Sequence, residues 1–338
     1  MICERNHVSN FFDPKCFLES RCDYTDVSTE IEKRLHNFGV CILGVGIYCV
    51  SGIKMPDGSS LFGMGNATKI ILAQNIESGY AIKLGSFCTV KNLSVMGANE
   101  PTEHPTNVEK RHGILFEGNA SVTKNYANQP RNSIIESCFI SSFNGGGITC
   151  LDTGYSVASS ITASNCHILK CGACINIPYF SEYHEFTNIL CSDSLYGCIN
   201  NGGNNVFINC GFNSNVTAFL IDNSHGRSNN QAHGSAIGCT FNHSDGNKGV
   251  GIAVLGAKWG YVFSGCQIFY SKIILENSTN IVFNAINAGK AIDIKIKGGN
   301  MTAFSNCVFL ERPNISVEDN DRVKFTNCFT REGEEINI

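Results

Sequence analysis

Apolar residues recur along this chain in one short pattern, which occurs nine times between residues 135 and 330. An apolar residue is followed two positions later by Asn, Gly or Ser, then by Cys, and then by another apolar residue, as in Phe207, Asn209, Cys210 and Phe212. The Cys positions, or their equivalents, are residues 138, 166, 189, 210, 239, 266, 285, 307 and 328, which are 19 to 29 residues apart. Repeats of this length predict a solenoid, in which each coil buries its apolar face by stacking on its neighbours.

A second apolar row lies between successive Cys positions and contains Ile148, Cys174, Cys198, Phe219 and Ile252. The Asn or Gly before most Cys positions tolerates the left-handed backbone that a sharp bend requires. Each coil is therefore predicted to contain two or three short parallel strands joined by bends. Leu is too scarce for a leucine-rich repeat, so we predict an all-β fold, a single-stranded right-handed parallel β-helix.

The N-terminal part predicts a capping element for this solenoid. Thr29 and Glu32 have the spacing of a capping box, and the apolar stripe that follows predicts a helix that Gly39 ends. Strands are predicted after it at Val40–Leu43, Ile47–Val50, Lys69–Leu72, Tyr80–Leu84 and Cys88–Val95, and residues 96–131 lack a pattern and are predicted as a functional loop or interface. We divide the chain into an arm (1–24), a capping helix (25–39), the β-helix (40–330) and a tail (331–338).

The amino-acid composition restricts the partners and the cellular location that we expect. The net charge is −4 and only 16% of residues are charged, without a basic stripe, so a nucleic-acid partner is not expected. No apolar run predicts a signal peptide or a membrane span, so we expect synthesis in a reducing bacterial cytoplasm without membrane insertion.

Eighteen cysteines raise the question of disulfides or metal sites. Cys166, Cys171 and Cys174, with His167, could hold zinc. However, Cys166 and Cys174 belong to different apolar rows, which favours packing inside the solenoid. We therefore expect no metal and no cofactor, and buried, reduced thiols.

The densest polar cluster is Tyr179–Glu185, in a linker between two coils. We predict Glu182, His184 and Glu185, with Asp152 one coil earlier, as catalytic acids and bases. Tyr155, Tyr179 and Tyr183 are predicted to contact substrate, because tyrosine rings offer a stacking platform for sugars. The alternative is that these are solvated residues of ordinary bends.

A second polar cluster starts at Asp222 and includes His225, Arg227, His233 and His243. Histidine and arginine could stabilise an anionic sugar or abstract a proton, as a lyase requires. We predict Asp222, His225, Arg227 and His243 as substrate-binding residues. Asp222 has the alternative of a structural hydrogen-bonding role.

Residues 40–98, from VCILGVGIYCV to LSVMGA, resemble the opening coils of pectate-lyase-like β-helix proteins. RHGILFEG (111–118), FNGGGITCLDTGY (143–155), YGCINNGGNNVF (196–207) and HGSAIGCTFNHS (233–244) resemble β-helix modules of phage and prophage tail proteins. The acidic clusters of calcium-dependent pectate lyases and the paired aspartates of polygalacturonases have no counterpart here. SEYHEF (181–186) is similar to a string in inulin fructotransferases.

The resemblance implies a tailspike-like, virion- or tail-associated protein that recognises a bacterial surface glycan. It further implies a homotrimer that contacts other tail proteins, for which we predict the N-terminal segment. If the protein cleaves the glycan, it is a polysaccharide hydrolase or a lyase. The second possibility is a receptor-binding module without catalysis. A stand-alone carbohydrate-active enzyme, such as a fructotransferase, is the third possibility.

Overall fold

The computed structural model of the chain describes residues 13–20, 25–97, 110–118, 129–151, 158–224, 232–242 and 249–337. Short strands form three sheets, A, B and C, in which neighbouring strands pair in parallel. Each coil contributes a strand to sheet A, then to sheet B, then to sheet C, and the next coil repeats this order. This is the predicted parallel β-helix.

The strands of sheet A are β1 (Phe17–Leu18), β2 (Val40–Leu43), β5 (Ser60–Phe62), β8 (Thr89–Lys91), β11 (Ile134–Glu136), β14 (Thr162–Ser164), β17 (Glu185–Thr187), β20 (Gly203–Ile208), β23 (His233–Ile237), β26 (Tyr261–Ser264), β29 (Thr279–Asn284), β32 (Asn300–Ser305) and β35 (Val323–Thr326). Those of sheet B are β3 (Gly46–Val50), β6 (Thr68–Leu72), β9 (Ser94–Met96), β12 (Phe139–Ser141), β15 (His167–Leu169), β18 (Leu190–Ser192), β21 (Gly211–Asn213), β24 (Thr240–Asn242), β27 (Gln267–Phe269), β30 (Asn287–Ala288), β33 (Val308–Phe309) and β36 (Phe329–Thr330). Those of sheet C are β4 (Ile53–Lys54), β7 (Gly79–Leu84), β10 (Arg111–Glu117), β13 (Gly146–Leu151), β16 (Ala173–Ile177), β19 (Tyr196–Asn200), β22 (Thr217–Asp222), β25 (Val250–Leu255), β28 (Lys272–Glu276), β31 (Asp293–Lys297) and β34 (Asn314–Glu318).

We number the coils from β2–β4 as coil 1. The connections from sheet C of one coil to sheet A of the next lie one above another, and we call this row the C–A edge. Its described residues are 55–59, 85–88, 118, 129–133, 158–161, 178–184, 201–202, 223–224, 232, 256–260, 277–278, 298–299 and 319–322.

The repeated apolar pattern is the inner wall of sheet A. In consecutive coils, Ile135 aligns with Ala163, and Ala163 with Phe186. Further along, Phe283 and Phe304 stack with ring centroids 4.6 Å apart and planes at 4°. Because each ring covers the next, the aromatic positions bury one another along the helix axis.

The bend between sheets A and B is built as predicted. The residue before each Cys position has a left-handed backbone, with φ of 54° at Asn165 and 52° at Asn209. The Cys that follows is buried and begins the turn into sheet B. Amide side chains also bond between coils, since Asn188 Nδ2 donates to Asn165 Oδ1 at 3.3 Å. Asn suits this position because it tolerates the left-handed region.

In each of the two predicted apolar rows, one residue was assigned one position away from its actual place. Phe283 aligns with Phe304, so Ile286 and not Ala285 occupies the Cys position, and Ala285 takes the left-handed bend with φ of 53°. In sheet C, Ile148 aligns with Ile175 rather than Cys174. Inter-coil hydrogen bonds set this register, and spacing along the chain shows it only approximately.

Two of the predicted segments also differ from the structure. The run Cys88–Val95 is two strands, β8 and β9, because Asn92 bends the chain with φ of 56°. The unpatterned stretch 96–131 contains β10, a buried strand of sheet C. Strands buried on both faces lack the alternation of apolar and polar residues, which hid β10 in the sequence.

Helix α1 (Ser28–Phe38) precedes coil 1 and buries Ile31 and Leu35 against it. Its end at Gly39, with φ of 72°, is as predicted. The capping box is not formed, because the Glu32 carboxylate accepts a hydrogen bond from the Lys54 main-chain N–H at 2.7 Å. Within the segment predicted as an arm, β1 pairs with β2 and begins sheet A. The domain boundaries stay a prediction.

Candidate functional site

The described residues of both predicted clusters lie on or directly beside the C–A edge. Residues 178–184 connect β16 to β17, and residues 223–232 connect β22 to β23. Between these two long connections, coil 6 passes to coil 7 through only Asn201 and Gly202. We call this two-residue connection, between the two longer ones, the notch; described residues of one predicted cluster lie one coil before it and those of the other one coil after it.

Several predicted residues lie outside the described part of the chain, namely Asp152, Tyr155, His225, Arg227 and His243. Asp152 and Tyr155 fall in the connection that precedes β14, and His225 and Arg227 in the one that precedes β23. His243 instead falls between β24 and β25, in a connection from sheet B to sheet C. Their roles stay predictions.

Glu182 and His233 converge on Gly203, at the notch. A Cβ added to Gly203 would stand 3.0 Å from Glu182 Oε1 and 3.0 Å from His233 Nδ1. Sheet A pairs Gly203 with His233, and the Tyr183 N–H donates to the Gly203 carbonyl oxygen at 3.2 Å. A carboxylate and an imidazole from different coils thus share the space over a glycine that has no side chain to separate them.

His233 belongs to the second polar cluster but was not among the predicted site residues. His233 begins β23, 51 positions after Glu182, and the two-residue connection at Asn201–Gly202 brings them together. The short connection is the feature of the sequence that could have indicated this proximity, because no long loop lies between the two clusters. A carboxylate and an imidazole at one point can transfer protons as an acid and a base.

Glu185 and Tyr183 complete the exposed part of this site. Glu185 is exposed on the outer face of sheet A, where it aligns with Val206, and its Oε1 accepts a hydrogen bond from Thr187 Oγ1 at 3.3 Å. The Tyr183 side chain is 59% exposed, on a left-handed backbone with φ of 60°. Glu182 and Glu185 therefore come from one connection and the strand that follows it, not from neighbouring coils.

His184 points into the protein. It is 1% exposed, and burial lowers the pKa of its imidazole to about 3. The Ile161 N–H donates to Nδ1 at 3.1 Å, so Nε2 carries the proton and faces Ser181 Oγ at 2.7 Å. These contacts tie the imidazole to the bend, away from the surface, and the predicted catalytic role of His184 stays a prediction.

Tyr179 and Asp222 join the two sides of the notch. Tyr179 is 9% exposed, and its hydroxyl donates to the Asp222 carbonyl oxygen at 2.7 Å. The Asp222 carboxylate accepts from the Ser224 N–H at 3.0 Å, and the Asp222 N–H donates to Asn201 Oδ1 at 2.8 Å. The structural role considered for Asp222 thus has direct contacts, while its carboxylate stays at the surface.

In the described part of the chain, no three His, Cys, Asp or Glu side chains are grouped so that they could hold one metal ion. Cys171 and Cys174 are buried, and each thiol lies within hydrogen-bonding distance of a main-chain carbonyl oxygen, Leu169 at 3.2 Å and Ile168 at 3.3 Å. Of the helices in this part, none is long and apolar enough to cross a membrane.

No family model and no curated protein matches the sequence. Among solved structures, the A-module of the mannuronan C-5 epimerase AlgE6 from Azotobacter vinelandii is similar over 90% of this chain and 95% of its own, with 11% identity and a TM-score of 0.59. The N-terminal fragment of bacteriophage Phi29 gene product 12 matches over 92% of this chain and 65% of its own, with 14% identity and a TM-score of 0.58.

The enzymatically active domain of tailspike protein 2 from bacteriophage CBA120 matches over 81% of this chain, with 14% identity and a TM-score of 0.54. This chain spans 45% of that tailspike chain. The protein has the fold of the tailspike and pectate-lyase-like β-helices. At these identities the similarity concerns the fold, as the resemblance in sequence predicted.

Proposed function

We propose that the protein is a phage tail-associated β-helix that binds a bacterial surface polysaccharide at the C–A edge and cleaves it there. The convergence of Glu182 and His233 over Gly203 carries this proposal. Two of the similar structures support the substrate class, since one is the enzymatically active domain of a tailspike and the other an epimerase that acts on mannuronan. Only 16% of the residues are charged, which suits binding of a sugar.

The chemistry follows from the groups at the notch. Glu182, when protonated, can donate a proton to the glycosidic oxygen, and Glu185 can act as the second carboxylate of a hydrolase. In a lyase, the His233 imidazole would instead take the C5 proton next to the uronate carboxylate while the C4–O bond breaks to leave a C4–C5 double bond, and Glu182 would protonate the departing oxygen. Asp152, Tyr155, His225, Arg227 and His243 remain proposed contributors from the surrounding connections.

The test is to incubate the protein with a purified capsular polysaccharide, wall teichoic acid, inulin and polymannuronate. Retardation in a gel that contains the polymer measures binding, and chromatography detects oligosaccharide products. Products with the ultraviolet absorbance of an unsaturated uronate indicate a lyase, and new reducing ends without it indicate a hydrolase. Products from inulin alone would favour the fructotransferase alternative.

Variants locate the site. We expect Glu182→Gln or His233→Asn to lower turnover by about a hundredfold or more, the usual contribution of an acid–base group. Glu276→Gln, which changes an exposed carboxylate on β28, is the matched control and should have wild-type turnover. Unchanged turnover in both Glu182→Gln and His233→Asn would refute the assignment.

A receptor-binding module without catalysis is the second candidate, and the exposed Tyr183 ring favours it, because a stacking platform serves binding alone. Such a protein would bind a polymer saturably and release no products. We also propose a homotrimer that contacts other tail proteins through its N-terminal segment. Light scattering at three times the chain mass of 36.7 kDa would support the trimer, and the monomer mass would refute it.

A further inference from the structure

Three exposed aromatic side chains recur at equal intervals on the C–A edge. Phe87 is 53% exposed, Tyr183 is 59% exposed and Trp259 is 62% exposed, and they are the most exposed aromatic residues in the described part of the chain. Phe87 leads into coil 3, Tyr183 into coil 6 and Trp259 into coil 9. One exposed aromatic residue is ordinary, but a regular row of them on one edge needs an explanation.

Sheet register places Phe87 and Tyr183 at equivalent positions of their coils, and Trp259 one position before the equivalent Gly260. Phe87 and Tyr183 each precede by two positions the residues Thr89 and Glu185, which align through β11 and β14. Trp259 precedes Val262 by three positions, and Val262 aligns with Glu185 through β20 and β23. Because coils are about 4.8 Å apart, successive aromatic residues are separated by about 14 Å along the axis.

The main chain holds these rings on a rigid support. The Phe87 N–H donates to the Arg131 carbonyl oxygen at 2.7 Å, and further bonds of this kind continue from coil to coil as far as the one between Tyr183 and Gly203. Ala257, two positions before Trp259, is fully buried, and its carbonyl oxygen accepts from the Thr279 N–H at 2.7 Å. The rings are thus presented on fixed bends, which reduces the entropy that a ligand would lose on binding.

Polar groups lie between the rings. Arg131 lies 5.8 Å from the Phe87 ring centroid, and Ser159 and Glu182 follow it on the same row through main-chain pairing. Glu182 and His233 meet over Gly203, between Tyr183 and Trp259. Flat apolar surfaces that alternate with hydroxyl, carboxylate and imidazole groups match a sugar polymer, whose rings have apolar faces and polar rims.

We infer that Phe87, Tyr183 and Trp259 form an aromatic track on which a linear polysaccharide lies parallel to the axis of the β-helix. This inference rests on the proposed function and adds the direction of the polymer, two further contact residues and the length of the site. The track extends over six coils, or about 29 Å, and passes the Glu182–His233 pair. Short fragments that cannot extend over about 14 Å contact one ring at a time.

The chain contains a single tryptophan, so its fluorescence reports on position 259 alone. The wild-type protein is titrated with each of the four polysaccharides named above. For a polymer that retards the protein in the gel, we expect a change in Trp259 emission that saturates with the same midpoint. Partial acid hydrolysates of that polymer, separated by length, should show affinity rising in steps as two and then three rings are reached.

Alanine variants test each ring. Phe87→Ala, Tyr183→Ala and Trp259→Ala should each weaken binding of the long polymer about threefold to tenfold, as expected for loss of one stacking contact. Phe329→Ala, which removes a 39% exposed ring on sheet B, is the matched control and should bind within about twofold of wild type. Thermal unfolding should be unchanged in all four, since these rings are exposed.

The two proposals fail in different ways. If a polysaccharide binds the wild type but the three track variants bind as tightly, the track is wrong and the proposed function stands. Equal weakening in Phe329→Ala would also refute the track. If none of the four polymers binds the wild type, the proposed function fails and the track fails with it.

Discussion

The Tyr179 hydroxyl donates a hydrogen bond of 2.7 Å to the main-chain carbonyl oxygen of Asp222, which ends the sheet C strand two coils further on. This bond crosses the two-residue connection at Asn201–Gly202 and joins the two sides of the notch. It makes the two long connections one unit, although 43 positions separate the two residues.

Tyr179→Phe should therefore loosen the notch. Removing the hydroxyl leaves the partly buried Asp222 carbonyl without this donor, and we expect the free energy of unfolding to fall by about 0.5–1.5 kcal/mol. Urea unfolding measures the change, and hydrogen exchange should be faster at Asn223 and Ser224. Tyr196→Phe, at a half-buried ring on β19, is the control; an equal loss of stability in both variants would contradict this role.

Gly203→Ala should separate Glu182 from His233 while the fold is kept. The new methyl group would stand 2.5 Å from His233 Cε1 and 3.0 Å from Glu182 Oε1, so at least one of these flexible side chains must move. We expect turnover on the active polymer to fall by about tenfold to a hundredfold, because displaced catalytic groups lose alignment.

The control for Gly203→Ala is Gly211→Ala, where a Cβ would meet only Leu190 Cδ1 at 3.1 Å and Asn213 Nδ2 at 3.8 Å. Gly211 lies on sheet B, away from the C–A edge, so its variant should have wild-type turnover. Wild-type turnover in Gly203→Ala as well would show that the pair over Gly203 does not carry the reaction.

His184 predicts a pH dependence of stability. Burial lowers its pKa to about 3 in the folded protein, whereas histidine in an unfolded chain has a pKa of about 6.5. Above pH of about 6.5 neither state is protonated, and the stabilisation is fully present. As the pH falls below this value, the unfolded chain binds a proton that the folded protein excludes, so the free energy of unfolding decreases.

Urea unfolding between neutral pH and about pH 4.5 should therefore show a smaller loss of stability in His184→Asn than in the wild type. His36→Asn, at an exposed position of α1, should lose as much as the wild type. If His184→Asn does not fold, nitrogen NMR of the wild-type imidazoles should show at least one histidine that stays neutral to about pH 4.5. A titration of all imidazoles near their usual pKa would contradict the buried state.

The thiols should be inert in the folded protein. Of the sixteen cysteines in the described residues, fifteen are buried, Cys49 is half-buried, and all are free. Burial raises the pKa of the Cys150 and Cys307 thiols to about 12, which disfavours the reactive thiolate.

A thiol reagent should accordingly modify at most Cys49, Cys3 and Cys22 in the native protein, the last two being outside the described residues. All eighteen cysteines should react in denaturant. Cys49→Ser should lower the native count by one, and rapid reaction of more than three thiols in the wild type would contradict the packing.

The coil could be derived from the sequence. An apolar position, a residue that tolerates a left-handed bend and a buried Cys recur in order, and a β-helix is the stacking that buries all three. Phe207 and Cys210 are buried and Asn209 forms the left-handed bend, as predicted. These roles depend on neighbouring residues in the chain and recur in every coil. Register errors at Ala285 and Cys174 arose where spacing was irregular, because bonds to the neighbouring coil decide the alignment.

Which bend residues meet follows from the stacking of the coils and not from the sequence. Residues 178–184 have no period-two pattern, so the sequence does not show that His184 turns inward while Tyr183 turns outward. The approach of Glu182 to His233 depends on stacking coils whose connections differ in length. Side chains of neighbouring coils lie about 4.8 Å apart whatever their separation along the chain, so the site is a property of the stack.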